Sequence, residues 1–322
     1  MDFNQITATV ADEFKQVDKL IIEELHSNVA LIGEIGNYIV SSGGKRLRPL
    51  VALLSARAFA YDGRHHIKVA TITEFLHTAT LLHDDVVDES NLRRGSPTVN
   101  AVWGNAASVL VGDFLISRSF QLIVSIKHMR LMDILAEATN LIAEGEVLQL
   151  MNVNDPSTSE EQYMEVIRYK TAKMFEVAAI SGPIIAKSGS AAEEAMVNYA
   201  RHMGAAFQIT DDVLDYTSSA EAMGKNVGDD LAEGKPTLPL IYAMRHSTPE
   251  QAKMIETAIK TGGLDKLDDI IAVVKTSGAL DYTVKKAEEE SALAIKALEI
   301  VPESKYRKAL ESLAHLAVHR NS

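Results

Sequence analysis

The 322-residue sequence contains no cysteine, which excludes disulfides, thiolate metal sites and a cysteine nucleophile. Proline (8) and glycine (18) are few and scattered, and no low-complexity run interrupts the chain. A length prior of ~150 residues per domain would allow two domains, but nothing resembles a linker, so a single domain over residues 1–322 is expected. Cations are outnumbered: 32 Lys+Arg against 44 Asp+Glu leave a net charge of -12. That argues against nucleic acid or an anionic membrane as the main partner. It also means that any phosphate site must gather its basic residues locally. The N-terminus, Met1-Asp2-Phe3-Asn4, lacks a basic n-region and an apolar h-region. No apolar run approaches the ~18 residues of a spanning helix, so a soluble cytoplasmic protein is expected. Alternating strand patterns and hairpin signals are missing too. What is plentiful is apolar side chain, 47% of the sequence, recurring at helical spacing from Phe3, Ile6, Val10, Phe14 and Val17 onward. The expected class is all-α.

One stretch organises the rest: His83-Asp84-Asp85-Val86-Val87-Asp88, followed by Arg93-Arg94. Asp84 and Asp88 are one helical turn apart and share a face, with Asp85 at its edge. Like charges so placed repel by a few tenths of a kcal/mol, and a divalent cation removes the repulsion. Mg2+ takes one or two carboxylates and completes its shell with water and phosphate oxygens. A solvated acidic face is the bland alternative. A second copy, Asp211-Asp212-Val213-Leu214-Asp215, weighs against it. The doublets Asp229-Asp230 and Asp268-Asp269 lack the third aspartate.

Basic residues cluster near these acids. Ser41-Ser42-Gly43-Gly44-Lys45-Arg46-Leu47-Arg48-Pro49 reads as a glycine-loosened loop with Pro49 in the first turn of the next helix. Three cations beside a helix start suit an anion; a basic surface turn is the alternative. The Gly-x4-Gly-Lys-Ser/Thr spacing of a P-loop is absent. Helices are expected to about Tyr61, from about Ile67 through the first triad, over 106–126 and 130–151, and from Ser190 to Tyr216. His77 lands on nearly the same face as Asp84, although a lone His is more often a satisfied core residue. Arg93-Arg94-Gly95 and Ser96-Pro97 read as a loop, and the arginines suit phosphate. Glu144, Glu146 and Gln149 are surface residues or outer supports of a metal site. Gln208 precedes the second triad by about one turn. From Thr217 to Pro239 the periodicity lapses, and Lys225, Gly228, Asp230, Gly234, Lys235 and Pro236 suggest a loop able to close over an anion; an ordinary solvated loop is the alternative.

In this order, Gly43 through Pro49, the first triad with Arg93-Arg94-Gly95, Lys170-Thr171, Phe207-Gln208 before the second triad, and Gly224-Lys225 through Gly234-Lys235-Pro236-Thr237 resemble the trans-isoprenyl (polyprenyl) diphosphate synthases. The resemblance spans nearly the whole chain. It implies an antiparallel helical bundle around a deep cavity, a homodimer, and head-to-tail addition of isopentenyl diphosphate to an allylic diphosphate, with farnesyl diphosphate the expected primer. It further implies Mg2+ on Asp84, Asp88, Asp211 and Asp215, with Asp211 foremost in its triad and Asp85 and Asp212 beside them. Arg93, Lys170, Thr171, Gln208, Lys225 and Lys235 would hold the allylic diphosphate. Lys45, Arg48, His77 and Arg94 would hold isopentenyl diphosphate, with Arg46 a neighbour. The catalytic set is then Asp84, Asp85, Asp88, Arg93, Lys170, Asp211, Asp212, Lys225 and Lys235. Rival readings are a class I terpene cyclase, which would not need the Lys45/Arg48/Arg94 site, and a non-catalytic subunit, which would have lost parts of the triads.

The family implies that bulky side chains below the first triad stop the growing chain. Five residues before Asp84 stands Ala79, beside Thr80, roughly 7–8 Å along the helix. A small residue there leaves room for a long chain, expected at eight isoprene units, serving as a quinone side chain. A floor near Phe114, Phe120 and Ile123 is then expected. Simple packing of Ala79 against a neighbouring helix is the alternative.

Overall fold

The computed structural model describes residues 1–93, 95–217, 228–262 and 264–320. It is all-α apart from one two-residue hairpin. The residues group into two compact units: Met1–Ala138 with Met174–Tyr199 and Ala297–Leu313, and Thr139–Lys173 with Ala200–Lys296 and Ala314 onward.

In the first unit, α1 (Phe3–Ala8) starts at a reciprocal cap between Asp2 and Gln5. Helices α2 (Ala11–Glu24) and α3 (Ala30–Ser41) follow. The apolar stripe of α2 is the one the spacing predicts, with Val17 and Ile21 buried. Helix α4 (Leu47–Ala58) is buried along almost its whole length, which marks a central element. Helix α5 (His65–Val87) packs on α2, on α4 and on α7 (Asn105–Ile126). Between α5 and α7 lies the short α6 (Val99–Trp103), for which the sequence pattern gives no signal.

Helix α10 (Lys173–Ala186) carries Pro183 in its interior. Proline removes the N–H that would bond the carbonyl four residues back, that of Ala179. Ser55 of α4 supplies the missing donor, its hydroxyl reaching the Ala179 oxygen at 2.5 Å. Gly182 makes the approach possible: a Cβ there would lie 2.5 Å from the Ser55 carbonyl carbon.

The end of α5 differs from the expected continuous triad helix. Asp84 and Asp85 lie on the helix, while Asp88 caps it. Glu89 adopts a left-handed conformation (φ 52°). Its N–H bonds the Val86 oxygen and that of Ser90 the Asp85 oxygen, the paired pattern that closes a helix C-terminus. Leu92–Arg93 then pairs antiparallel with Ser96–Pro97, a hairpin where a plain loop is expected. By length and composition alone, the Asn105–Ile126 helix is long and apolar enough to cross a membrane. Its buried residues Ser108, Val111, Leu115, Ser119, Leu122 and Ile126 recur at helical spacing, the pattern of a helix packed into protein along one side.

The second unit holds the C-terminal part of α8 (Met129–Asn152), α9 (Glu160–Val166), capped reciprocally by Ser159 and Gln162, and most of α11 (Ser190–Thr217). A π-helical stretch, Ile167–Ala172, carries Lys170 and Thr171; such bulges frequently occur at functional sites. Tyr163, Ile167, Ile209, Leu238, Ile241 and Ala287 share one apolar cluster. A second cluster joins Leu231, Leu240, Ile255, Ile259 and Ile270. The segment expected to be loop contains a short helix, Asp229–Ala232.

Candidate active site

In the first unit the conformation of 43–46 prepares a cationic corner. Gly43 (φ 69°) and Gly44 (φ 144°) take backbone angles that suit glycine, and Arg46 is left-handed at φ 45°. A side chain in that region costs roughly 1–2 kcal/mol. Arg46 is held there by an ion pair to Asp18 of α2, a partner the sequence gives no reason to choose. Lys45 is exposed. The Arg48 guanidinium lies 4.4 Å from the Phe175 ring centroid, a cation–π contact.

Arg46, His77, Asp85 and Arg93 line one cavity together with apolar residues including Phe75 and Leu81. Its empty volume is about 890 Å³, counting solvent at its mouth. Arg46, which the family resemblance makes only a neighbour, thus shares the cavity with the expected ligand His77. Asp85 is 3% exposed. It does not point outward with its neighbours: its Oδ1 accepts from both Nε and Nη2 of Arg93, at 2.9 and 2.6 Å. Asn100 ties the same corner together by donating to the carbonyls of Asp85 and Ser90. Asp84 and Asp88 are half-buried. Ala79 is fully buried, next to half-buried Thr80, whose hydroxyl bonds the His77 carbonyl. Arg94 lies outside the described residues.

In the second unit a chain of hydrogen bonds joins three expected residues. The Thr171 hydroxyl donates to Gln208 Oε1 at 3.1 Å, and Gln208 Nε2 donates to Asp212 Oδ1 at 3.0 Å. Tyr163, which carries no motif signal, donates to Asp212 Oδ2 at 2.5 Å. Burial, and then the charge of Asp230, push the Asp212 carboxyl well above the usual carboxylate range, while Tyr163 and Gln208 pull it down. Asp230 belongs to a doublet that lacks a third aspartate, yet its charge acts on the triad. Lys170 bonds Glu146, and Lys235 bonds Glu233, each at 2.6 Å. Gly145 allows α8 to approach the π-helical stretch, since a Cβ there would lie 2.9 Å from the Lys170 backbone nitrogen. Asp215 is buried, and Asp211 keeps 44% of its side chain exposed while pairing with Arg320. Lys225 lies outside the described residues.

Among the described residues no three acidic or imidazole groups converge as a ready-made metal centre. The donor set still fits a hard divalent cation. In the first unit Asp84 and Asp88, and in the second Asp211, offer carboxylate oxygens that are not fully buried, and one or two such groups suffice where phosphates complete the shell. Asp211 already faces a cation, the Arg320 guanidinium.

An all-helical fold with paired aspartate triads and clustered cations defines a class, and comparison agrees: the chain belongs to the polyprenyl synthetase family, which matches residues 29–276. It is a prenyltransferase of the isoprenoid synthase fold, in a family that uses isoprenyl diphosphates and a divalent metal. The chain is 52% identical to the octaprenyl diphosphate synthase of Haemophilus influenzae, over 100% of this chain and 98% of that one. It is 50% identical to the all-trans-nonaprenyl-diphosphate synthase (geranyl-diphosphate specific) of Rhodobacter capsulatus, covering 99% of each. A polyprenyl synthase from Caulobacter crescentus CB15, solved with calcium and isoprenyl diphosphate, superposes with a TM-score of 0.96 at 42% identity, covering 100% of this chain and 98% of that one. The terpene-cyclase and non-catalytic-subunit readings fit these relatives less well.

Proposed function

We propose that the chain adds isopentenyl diphosphate head-to-tail to farnesyl diphosphate and makes an all-trans octaprenyl diphosphate for a quinone side chain. The observation that carries this reading is 52% identity over the whole chain to octaprenyl diphosphate synthases. It works as a single synthase domain over residues 1–322 and as a cytoplasmic homodimer. Exposed Val102, Val109, Leu110 and Val124 on and beside α7 offer an apolar surface to a second copy. Product release involves transient membrane contact.

Breaking the allylic C–O bond leaves an allylic cation and a diphosphate leaving group. Mg2+, held by Asp84, Asp88, Asp211 and Asp215, would neutralise charge on that leaving group. Arg93, Lys170, Lys225 and Lys235, with Thr171 and Gln208, grip the allylic diphosphate. Lys45, Arg48, His77 and Arg94 hold isopentenyl diphosphate, so that its double bond meets the cation. Asp85 and Asp212 act by positioning: one fixes the Arg93 guanidinium, the other orients the Gln208 amide and ties Tyr163 of α9 to the triad helix. Apolar walls exclude water, which would trap the cation as an alcohol. The departing diphosphate takes the final proton, and no side-chain base is required.

Incubation with farnesyl diphosphate, isopentenyl diphosphate and Mg2+, followed by chromatography of the dephosphorylated products, tests the reading. Eight units support it; a product of nine or ten moves the chain toward its nonaprenyl relative, and a cyclised hydrocarbon overturns it. Ala79→Tyr is expected to shift products toward three or four units. An active variant that keeps the wild-type length would refute this account of length control.

A further inference from the structure

Arg320, next to the C-terminus, lies on the second triad. Its guanidinium pairs with Asp211 Oδ1, donates to the Phe207 carbonyl at 2.9 Å and sits 3.7 Å from the Phe207 ring centroid. The Arg320 side chain is only 13% exposed. The helix Lys305–Val318 ends two residues earlier, so helical continuity does not place this side chain. Its contacts with Phe207 and Asp211, residues one turn apart on α11, place it. A planar, weakly hydrated guanidinium suits a carboxylate beside an aromatic face better than an ammonium does.

We propose that Arg320 is the resident counter-ion of Asp211, a positioning residue that holds this carboxylate until a divalent metal displaces it. The proposal rests on the reading of Asp211 as a metal ligand. The carboxylate oxygen that Arg320 occupies is one the metal needs, so the two cations compete. Binding of metal and seating of Arg320 are therefore reciprocally opposed: each weakens the other by the same factor. Metal entry at the triad frees the Arg320 side chain, and the apparent metal affinity is lowered by the share of molecules in which Arg320 is seated.

Titration of the full-length chain with Mn2+ alone, read by electron paramagnetic resonance of the free ion, separates the alternatives. Arg320→Gln should bind Mn2+ about fivefold more tightly than the wild type, the size expected for removing a partly exposed competing ion pair. Asp211→Asn should bind it more weakly. If Arg320→Gln matches the wild type while Asp211→Asn is weaker, the metal ligand stands and the counter-ion proposal falls. If Asp211→Asn also matches the wild type, both fall. A second readout needs no change at Arg320. Because the chain has no cysteine, Ser322→Cys accepts a single fluorophore. Its anisotropy should drop when Mn2+ is added, and the drop should vanish in combination with Asp211→Asn. An anisotropy indifferent to Mn2+ overturns the proposal.

Discussion

The two aspartate triads have the same spacing and opposite surroundings. In both, the middle residue is 3% exposed and turned into the protein. Asp85 there meets a cation, Arg93, with two hydrogen bonds on one oxygen. Asp212 meets two neutral donors, the Tyr163 hydroxyl and the Gln208 amide, with Asp230 nearby. Identical sequence patterns thus build a charged strut in one unit and a neutral hydrogen-bonded strut in the other. Of the flanking aspartates, Asp84, Asp88 and Asp211 stay partly open, whereas Asp215 is buried. The comparison teaches that a triad is not three equivalent ligands.

The largest effect should separate flanking from middle positions. Asp84→Ala or Asp211→Ala is expected to lower turnover by several orders of magnitude at saturating Mg2+, through loss of charge stabilisation in the transition state. Circular dichroism should stay unchanged, since removing one of several like charges relieves repulsion. Near-normal turnover in either variant would break the assignment of both triads to metal.

A smaller and more discriminating effect lies between the two middle residues. Asp85→Asn leaves the Arg93 guanidinium beside a neutral group, a loss of about 2–5 kcal/mol for a buried charge pair. Apparent kcat/KM for the allylic substrate should fall by roughly 10²–10³. Asp212→Asn keeps one good acceptor for neutral donors, and a net hydrogen-bond change of about 1 kcal/mol predicts a loss of only several-fold. Equal losses at the two positions, in steady-state kinetics with each substrate varied, would remove the contrast.

An effect on stability alone sets the pH at which such comparisons hold. His66 is 1% exposed and lies edge-on to Tyr61. Burial first, then Arg57, lowers its pKa from 6.5 to about 4. The folded protein resists protonating this ring while the unfolded chain does not. Stability is therefore complete above about pH 6.5 and falls as pH drops from there toward 4, by at most about 3 kcal/mol. His66→Phe should flatten the melting temperature over that range; an unchanged slope would show that other groups set it.

Much of this was legible in the sequence because it is local. The triad spacing, the helices expected at 106–126 and 130–151 and the all-α class follow from neighbours within a turn or two. Residues that act through distant partners were not legible. Asp18 meets Arg46 across 28 positions, Tyr163 meets Asp212 across 49, and Arg320 meets Asp211 across 109, and no periodicity encodes such pairs. The π-helical stretch at 167–172 and the cap at Asp88 escaped for another reason: their residues suit an ordinary helix, and close packing against Gly145 or a left-handed Glu89 accompanies the departure.

The central claim is that flanking aspartates bind metal while middle aspartates position other side chains. Anomalous diffraction from crystals grown with Mn2+ and inorganic diphosphate tests it most directly. The account predicts metal peaks within coordination distance of carboxylate oxygens of Asp84, Asp88 and Asp211, with Asp85 still on Arg93 and Asp212 still on Tyr163. A metal ion bound by Asp85 or Asp212 in place of the flanking residues would contradict it.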